Sequence, residues 1–201
     1  MKIVYQGSPG AYSHLAAKKI YPNYEFIPYN TFEDCFKHCN ENEDHKTIIP
    51  VENSIAGRVA DIQYLINKYK LQIYAEHFQE IKHNLMILKD NKLENVKSVR
   101  SHSQAISQCQ KLINSNKFEP IIAADTAGSA KYISEKKIKS EAAIASELAA
   151  KIYDLKIVKE NIEDNHSNVT RFLIMGKKKS HPDFKNKNYI TSCIFKVKNK
   201  P

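Results

Sequence analysis

Ile48-Ile49-Pro50-Val51-Glu52-Asn53-Ser54-Ile55-Ala56-Gly57-Arg58-Val59-Ala60-Asp61-Ile62-Gln63-Tyr64-Leu65 is the stretch on which the fold turns. It opens as an apolar run of strand type and passes through a polar corner. It then places Val59, Ile62, Leu65 and Ile66 at helical spacing. Asn53 and Ser54 are residue types that cap helices. Gly57 lets a backbone or a ligand come close. A capped helix start carries free N–H groups and a positive dipole end, which together favour an anion. An ordinary strand–turn–helix link has the same pattern. The corner design, however, recurs at residues 7–13, 101–104 and 125–130.

Outward from this stretch, the first half of the chain alternates strand and helix. Residues 2–6 read as a buried strand, and Gly7-Ser8-Pro9-Gly10-Ala11-Tyr12-Ser13 as a glycine-bounded loop before a helix to Ile20. That loop lacks the third glycine and acidic partner of a dinucleotide fingerprint. Tyr24–Ile27 is the next strand, and Thr31 caps a helix with Phe32, Cys35, Phe36 and Cys39 inward. This βαβαβα order predicts an α/β fold of mostly parallel sheets flanked by helices.

Residues 71–88 alternate too long for one strand and read as two strands that cross into a second lobe. His77 and His83 then fall on one strand face, as structural residues rather than metal ligands. Lys97–Arg100 is a strand, followed by the Ser101-His102-Ser103-Gln104 corner and a helix to Asn114. Gln104 and Gln108 share a face of that helix, either solvated or aimed at a ligand. Pro120–Ala124 leads into Thr126-Ala127-Gly128, with Thr126 as the expected cap. The small residues there serve a ligand and a tight helix–sheet contact equally well. Ala142–Ala145, Leu155–Lys159 and Thr170–Met175 are strands, with Thr170, Phe172 and Ile174 on one face. Residues 179–188 form a basic linker, and Tyr189–Val197 a last strand without a visible partner.

Composition narrows the function. At 201 residues the chain fits one domain or two small lobes. It is 42% hydrophobic, with no run of spanning length, and Met1-Lys2-Ile3-Val4-Tyr5 enters a strand rather than a signal peptide. This reads as cytoplasmic, with no membrane partner. The cysteines Cys35, Cys39, Cys109 and Cys193 form no zinc spacing, so neither disulfide nor metal is expected. The net charge of +9 comes from scattered lysines, without a basic stripe interleaved with aromatics. We therefore expect no nucleic acid, and note that a basic field also favours a small dianion. The three arginines, Arg58, Arg100 and Arg171, all lie in or beside the corners. Their planar forks suit carboxylates.

Taken together, residues 7–13, 50–65, 101–109, 124–128, 142–146 and Asn168-Val169-Thr170-Arg171-Phe172 resemble prephenate dehydratase motifs in family order, over about residues 1–176. Residues 190–201 are similar to the first strand of that family's ACT regulatory domain. The resemblance implies a two-lobed fold like the type II periplasmic binding proteins, with lobe 1 at about 1–75 and 168–178 and lobe 2 at about 76–167. It makes 1–178 the catalytic domain and 189–201 the start of an incomplete ACT-like domain, without phenylalanine inhibition through it. It implies conversion of prephenate to phenylpyruvate without a cofactor, by a homodimer or homotetramer. It assigns catalysis to Thr170, Ser101 and Gln108, and substrate binding to Asn53, Ser54, Gly57, Thr126, Ala127, Gly128 and Arg171. Ser103 stands where the family usually has proline, and Ala11 where threonine is common. Arogenate as substrate, and a non-catalytic small-anion-binding protein of the same fold, are the alternatives.

Overall fold

The computed structural model describes residues 1–59 and 62–179. The 180–188 part of the linker and the expected strand at 189–201 lie outside the described residues. Lobe 1 opens with β1 (Lys2–Gln6), α1 (Tyr12–Ile20), β2 (Glu25–Tyr29) and α2 (Phe32–Glu41). It continues with β3 (Lys46–Asn53), β4 (Gly57–Arg58), α3 (Ile62–Tyr69) and β5 (Gln72–Glu80). Lobe 2 holds β6 (Asn84–Leu88), β7 (Ser98–His102), α4 (Ser103–Ser107), α5 (Gln110–Ser115) and β8 (Glu119–Ala123). It ends with α6 (Thr126–Lys136), β9 (Glu141–Ala145), α7 (Glu147–Ile152) and β10 (Leu155–Lys159), before β11 (Val169–Gly176) returns to lobe 1.

The first sheet runs β2-β1-β3-β11-β5, with β4 folded back on β3, and the second runs β10-β6-β9-β7-β8. Both are mixed rather than mostly parallel. The β1/β2, β1/β3, β7/β8 and β7/β9 pairs are parallel, as helical crossovers require. The strands that carry the chain between lobes, β5, β6 and β11, pair antiparallel. Because β5 stays paired with β11 through Glu80, the first crossing lies at residues 81–83, later than the expected boundary at 75–76. There Ile81 N–H donates to Asn168 O at 2.8 Å, and Ile162 N–H to His83 O at 2.9 Å. The two crossing segments are thus tied side by side.

Period-two alternation sorts each sheet into two packed faces. Val4, Ile49 and Val51 pack with Cys35, Phe36 and Cys39 of α2 and with Ile62 and Leu65 of α3. Their neighbours Ile3, Tyr5 and Ile48 face α1 on the other side. In lobe 2, Leu85, Ile87, Val99 and Ile144 face α4 and α5, whereas Met86, Ala143 and Ala145 face α6 and α7. The Thr31 cap holds, its hydroxyl accepting from Asp34 N–H. Among the described residues no helix is long and apolar enough to cross a membrane.

Three local expectations are corrected. Asn53 and Ser54 end a strand and open a tight turn into β4, and the described helix, Ile62–Tyr69, does not start at them. The α6 cap is Asp125, not Thr126, since the Asp125 carboxylate accepts from Gly128 N–H. The helix expected to run to Asn114 breaks at Cys109, whose φ of −125° and ψ of 28° are not helical.

Candidate active site

The loop after β1 seats lobe 1 on lobe 2. Gly10 lies at φ +93°, and a Cβ there would fall 2.6 Å from Ala149 Cα in α7. Ser146 Oγ, which caps α7, also donates to Gly10 O at 2.6 Å. Ser8 Oγ donates to Asp125 Oδ2 at 3.2 Å. Together with the paired crossings, these contacts enclose a cleft of about 510 Å³ between the lobes. That volume fits one small molecule.

One wall is made by β3, β11 and the turn between β3 and β4. A bulge shifts the β3/β11 register between Arg171 and Phe172. If the Ile48–Ile174 register ran on unbroken, Glu52 would oppose Thr170; the bulge puts Asn53 there instead. Pro50, which has no N–H to give the ladder, pairs with Phe172 immediately beside the bulge. Asn53 Oδ1 accepts from Ile55 N–H at 3.0 Å and Ala56 N–H at 2.8 Å. Its amide nitrogen is therefore the end that donates, to Thr170 Oγ1 at 2.9 Å and Asn168 Oδ1 at 2.7 Å. Thr170 accepts from Asn53 and donates to no atom among the described residues, so its proton is free for a ligand. Gly57 at φ +78° turns the chain back, with open space where a Cβ would stand. Arg58 follows it on the cleft wall.

The opposite wall carries Gln104, Gln108, Asp125 and Thr126. Each oxygen of Asp125 accepts one bond, Oδ1 from Gly128 N–H and Oδ2 from Ser8. Among the described residues Arg58 forms no ion pair, so it supplies the cleft's uncommitted positive charge. His83 is 3% exposed, and burial lowers its pKa from the ordinary histidine value, although its Gln108 bond and nearby Glu163 act the other way. His83 is therefore neutral at pH 7.

The structure brings Thr170, Gln108, Asn53, Gly57 and Thr126 to this cleft. It does not bring the remaining expected residues there. Ser101 is 0% exposed and donates to Ile144 O at 2.7 Å, tying β7 to β9 behind the wall. Ser54 donates to Ser167 O and accepts from Val169 N–H, holding the turn against the return crossing. Ala127 packs in the lobe 2 core, and Gly128 N–H is spent on the Asp125 cap. Arg171 points to the other face of β11, where it binds Glu76 on β5 at 2.8 Å, so it clamps strands of one sheet rather than the two lobes. The cleft also holds Arg58, one of the three arginines whose forks suit carboxylates, and Tyr12, His83 and Asn168, which the motifs alone do not single out: Tyr12 and Asn168 stand within motif segments, and His83 reads as a structural strand residue.

The fold and cleft define a two-lobed α/β protein built to hold a small molecule between its lobes. The family model for prephenate dehydratase matches residues 3–180. The chain is 33% identical over 199 residues to a bifunctional N-acyl-homoserine lactone acylase/prephenate dehydratase from Komagataeibacter europaeus, covering 99% of this chain and 71% of that one. It is 35% identical over 201 residues to arogenate dehydratase/prephenate dehydratase 2, chloroplastic, from Arabidopsis thaliana, covering 100% of this chain and 52% of that one. The fold matches a solved prephenate dehydratase from Arthrobacter aurescens in complex with L-Phe, with a TM-score of 0.84, 24% identity, and coverage of 91% and 62%. The chain belongs to the prephenate dehydratase family. It spans about half the length of the plant relative.

Proposed function

We propose that this cleft converts prephenate to phenylpyruvate, carbon dioxide and water. Prephenate carries two carboxylates and a ring hydroxyl. The bond to the ring carboxylate breaks, its electron pair enters the ring, and the hydroxyl leaves with a proton as water. Aromatisation drives the step, so no cofactor is required. The protein must hold the dianion, keep water from the departing carboxylate, and help the hydroxyl depart.

The observation that carries the reading is the Asn53–Thr170 pair. Asn53 donates to Thr170, so Thr170 aims its own proton into the cleft. As the ring hydroxyl leaves, Thr170 donates to the departing oxygen, and Asn53 steadies the charge that builds on Thr170. Arg58 grips a carboxylate through its fork. Gln108 offers its amide nitrogen from the other wall. Closure of the lobes sheds water from the carboxylate that is lost.

The test gives the purified protein prephenate and, separately, arogenate, and follows phenylpyruvate by its absorbance in base and phenylalanine by chromatography. Prephenate turnover with phenylpyruvate release is the expected result. Turnover of arogenate alone would reassign the substrate, and binding without turnover would make this a small-anion-binding protein. Arg58→Ala is expected to raise KM for prephenate about 10–100-fold, the value of one charged hydrogen bond, with a smaller change in kcat. An unchanged KM would remove Arg58 from the site. The same reading carries a cytoplasmic location, a homodimer or homotetramer, and an ACT-type regulatory segment beginning within 189–201.

A further inference from the structure

Five side chains form a continuous hydrogen-bonded run from the cleft wall into the crossing, and one anchor fixes its direction as far as His83. Backbone N–H groups of Ile55 and Ala56 pin Asn53 Oδ1. Asn53 Nδ2 must then donate to Asn168 Oδ1 at 2.7 Å. Asn168 Nδ2 is left to donate to Gln108 Oε1 at 2.9 Å. The same Gln108 oxygen faces His83 Nε2 at 2.9 Å. An amide oxygen brings no proton, so His83 Nε2 carries it. In the neutral ring Nδ1 is bare and faces the Tyr12 hydroxyl at 2.7 Å, whose single proton is shared between this nitrogen and Lys82 O at 2.9 Å. Turning Gln108 over would set its NH2 against the NH2 of Asn168. Turning Asn168 over would set that group against Asn53, which cannot turn.

This order has a consequence for the ligand. Both lone pairs of Gln108 Oε1 are filled, by Asn168 and by His83. Gln108 Nε2 bonds nothing among the described residues, and Gln108 lines the cleft. Its two N–H groups are therefore left for acceptors on a ligand. His83 is itself held rigidly, since its backbone N–H donates to Glu163 Oε2 at 2.9 Å and its carbonyl accepts from Ile162. Its ring is thus anchored to both crossing segments.

We propose that His83 is a positioning residue: as the Nε2–H tautomer, it locks the Gln108 amide with its nitrogen toward the carboxylate or keto oxygen of the substrate. Asn168 shares the task from the return crossing. The role rests on the reading that this cleft holds prephenate, but the proton placement does not.

Two measurements test it. Long-range proton–nitrogen NMR on protein labelled with 15N-histidine at pH 7.5 should show His83 as the Nε2–H tautomer, assigned by its loss in His83→Gln. An Nδ1–H ring would overturn the proposal whether or not prephenate is a substrate. In kinetics, His83→Leu should lower kcat/KM for prephenate about tenfold, the worth of one hydrogen bond. His83→Gln keeps a donor toward Gln108 and should recover most of that loss. In a Gln108→Leu background, His83→Leu should cost nothing further, because its effect runs through the amide. Equal losses in both backgrounds would refute the positioning role. If His83→Leu fails to fold, His83→Gln and the tautomer decide. A wild-type protein that shows the tautomer but no prephenate turnover would sink the function and leave the hydrogen-bond order standing.

Discussion

Replacing Thr170 with valine keeps the shape of the side chain and removes only its hydroxyl. The structure separates what that should cost in catalysis from what it should cost in folding. Thr170 is 9% exposed and sits in β11 between β3 and β5, where valine is a good strand residue. Its oxygen accepts one bond, from Asn53 Nδ2 at 2.9 Å, and Asn53 keeps Asn168 Oδ1 as a second acceptor. The folding cost is therefore that of one partly compensated hydrogen bond, about 1 kcal/mol, or roughly 2–4 °C in Tm for a chain of this size. The catalytic cost is the loss of a fixed donor at a departing oxygen, about 3–4 kcal/mol, or roughly 100–1000-fold in kcat. Phenylpyruvate formation at saturating prephenate, beside a thermal melt, reads both numbers. Asn53→Asp supplies the sharper control. A carboxylate in the same place accepts only, so the Thr170 hydroxyl would turn to donate to it and be lost to the substrate. It should lose as much kcat as Thr170→Val with Thr170 intact. Near-wild-type kcat in Thr170→Val, at an unchanged melt, would refute the argument.

Ser101→Ala should behave in the opposite way to Thr170→Val. It removes a buried bond to Ile144 O and should cost about 1–2 kcal/mol of stability by denaturant titration with kcat unchanged; a large kcat loss at full stability would return Ser101 to the chemistry. Gly10→Ala combines a positive φ with a Cβ driven into α7 and should destabilise by about 2–4 kcal/mol, whereas a wild-type denaturation midpoint would show that the loop does not seat the lobes as described. Burial and nearby Lys18 lower the His14 pKa to about 4, while its Nδ1 accepts from Gly10 N–H. Because the folded ring resists protonation that the unfolded chain accepts, the His14 contribution is complete above the unfolded value of about 6.5. It is lost as pH falls toward 4, by about 1–2 kcal/mol once solvent screening of a half-buried ring is allowed for. His14→Asn keeps an acceptor without titrating, so stability measured across that window should flatten, and an unchanged slope would exclude His14 as its source.

What was legible in the sequence follows the range of the forces involved. The alternation in Ile3-Val4-Tyr5 and Ile48-Ile49, the Thr31 cap and the inward face of α2 are set by residues a few positions apart, and each stands where it was read. Strand pairing is set by distant residues, so the antiparallel return of β11 between β3 and β5 could not be read from either strand. The hairpin of β4 onto β3 was hidden for the same reason. Asn53 has the chemistry of a helix cap, and it does bind two backbone N–H groups, but they belong to a turn that reverses the chain instead of starting a helix. That difference decides the site, because the reversed chain carries Arg58 onto the cleft wall and leaves the Asn53 amide nitrogen for Thr170.

Four of the five misplaced residues share one cause. Ser101, Ala127, Gly128 and Arg171 each neighbour a cleft residue in sequence, yet in β7, α6 and β11 a step of one or two positions turns a side chain to the other face. Thr170 and Arg171 are the clearest pair, one facing Asn53 and the other Glu76 across β5. A motif marks which segment reaches the cleft, and the register of its strand selects which of its residues arrives. In β11 that register depends on the bulge opposite Arg171 and Phe172. Straightening it would place Glu52 against Thr170, setting a carboxylate where the proposed substrate brings two of its own and an acceptor where Thr170 meets the Asn53 donor. The bulge is thus as much a part of the site as the side chains it sorts.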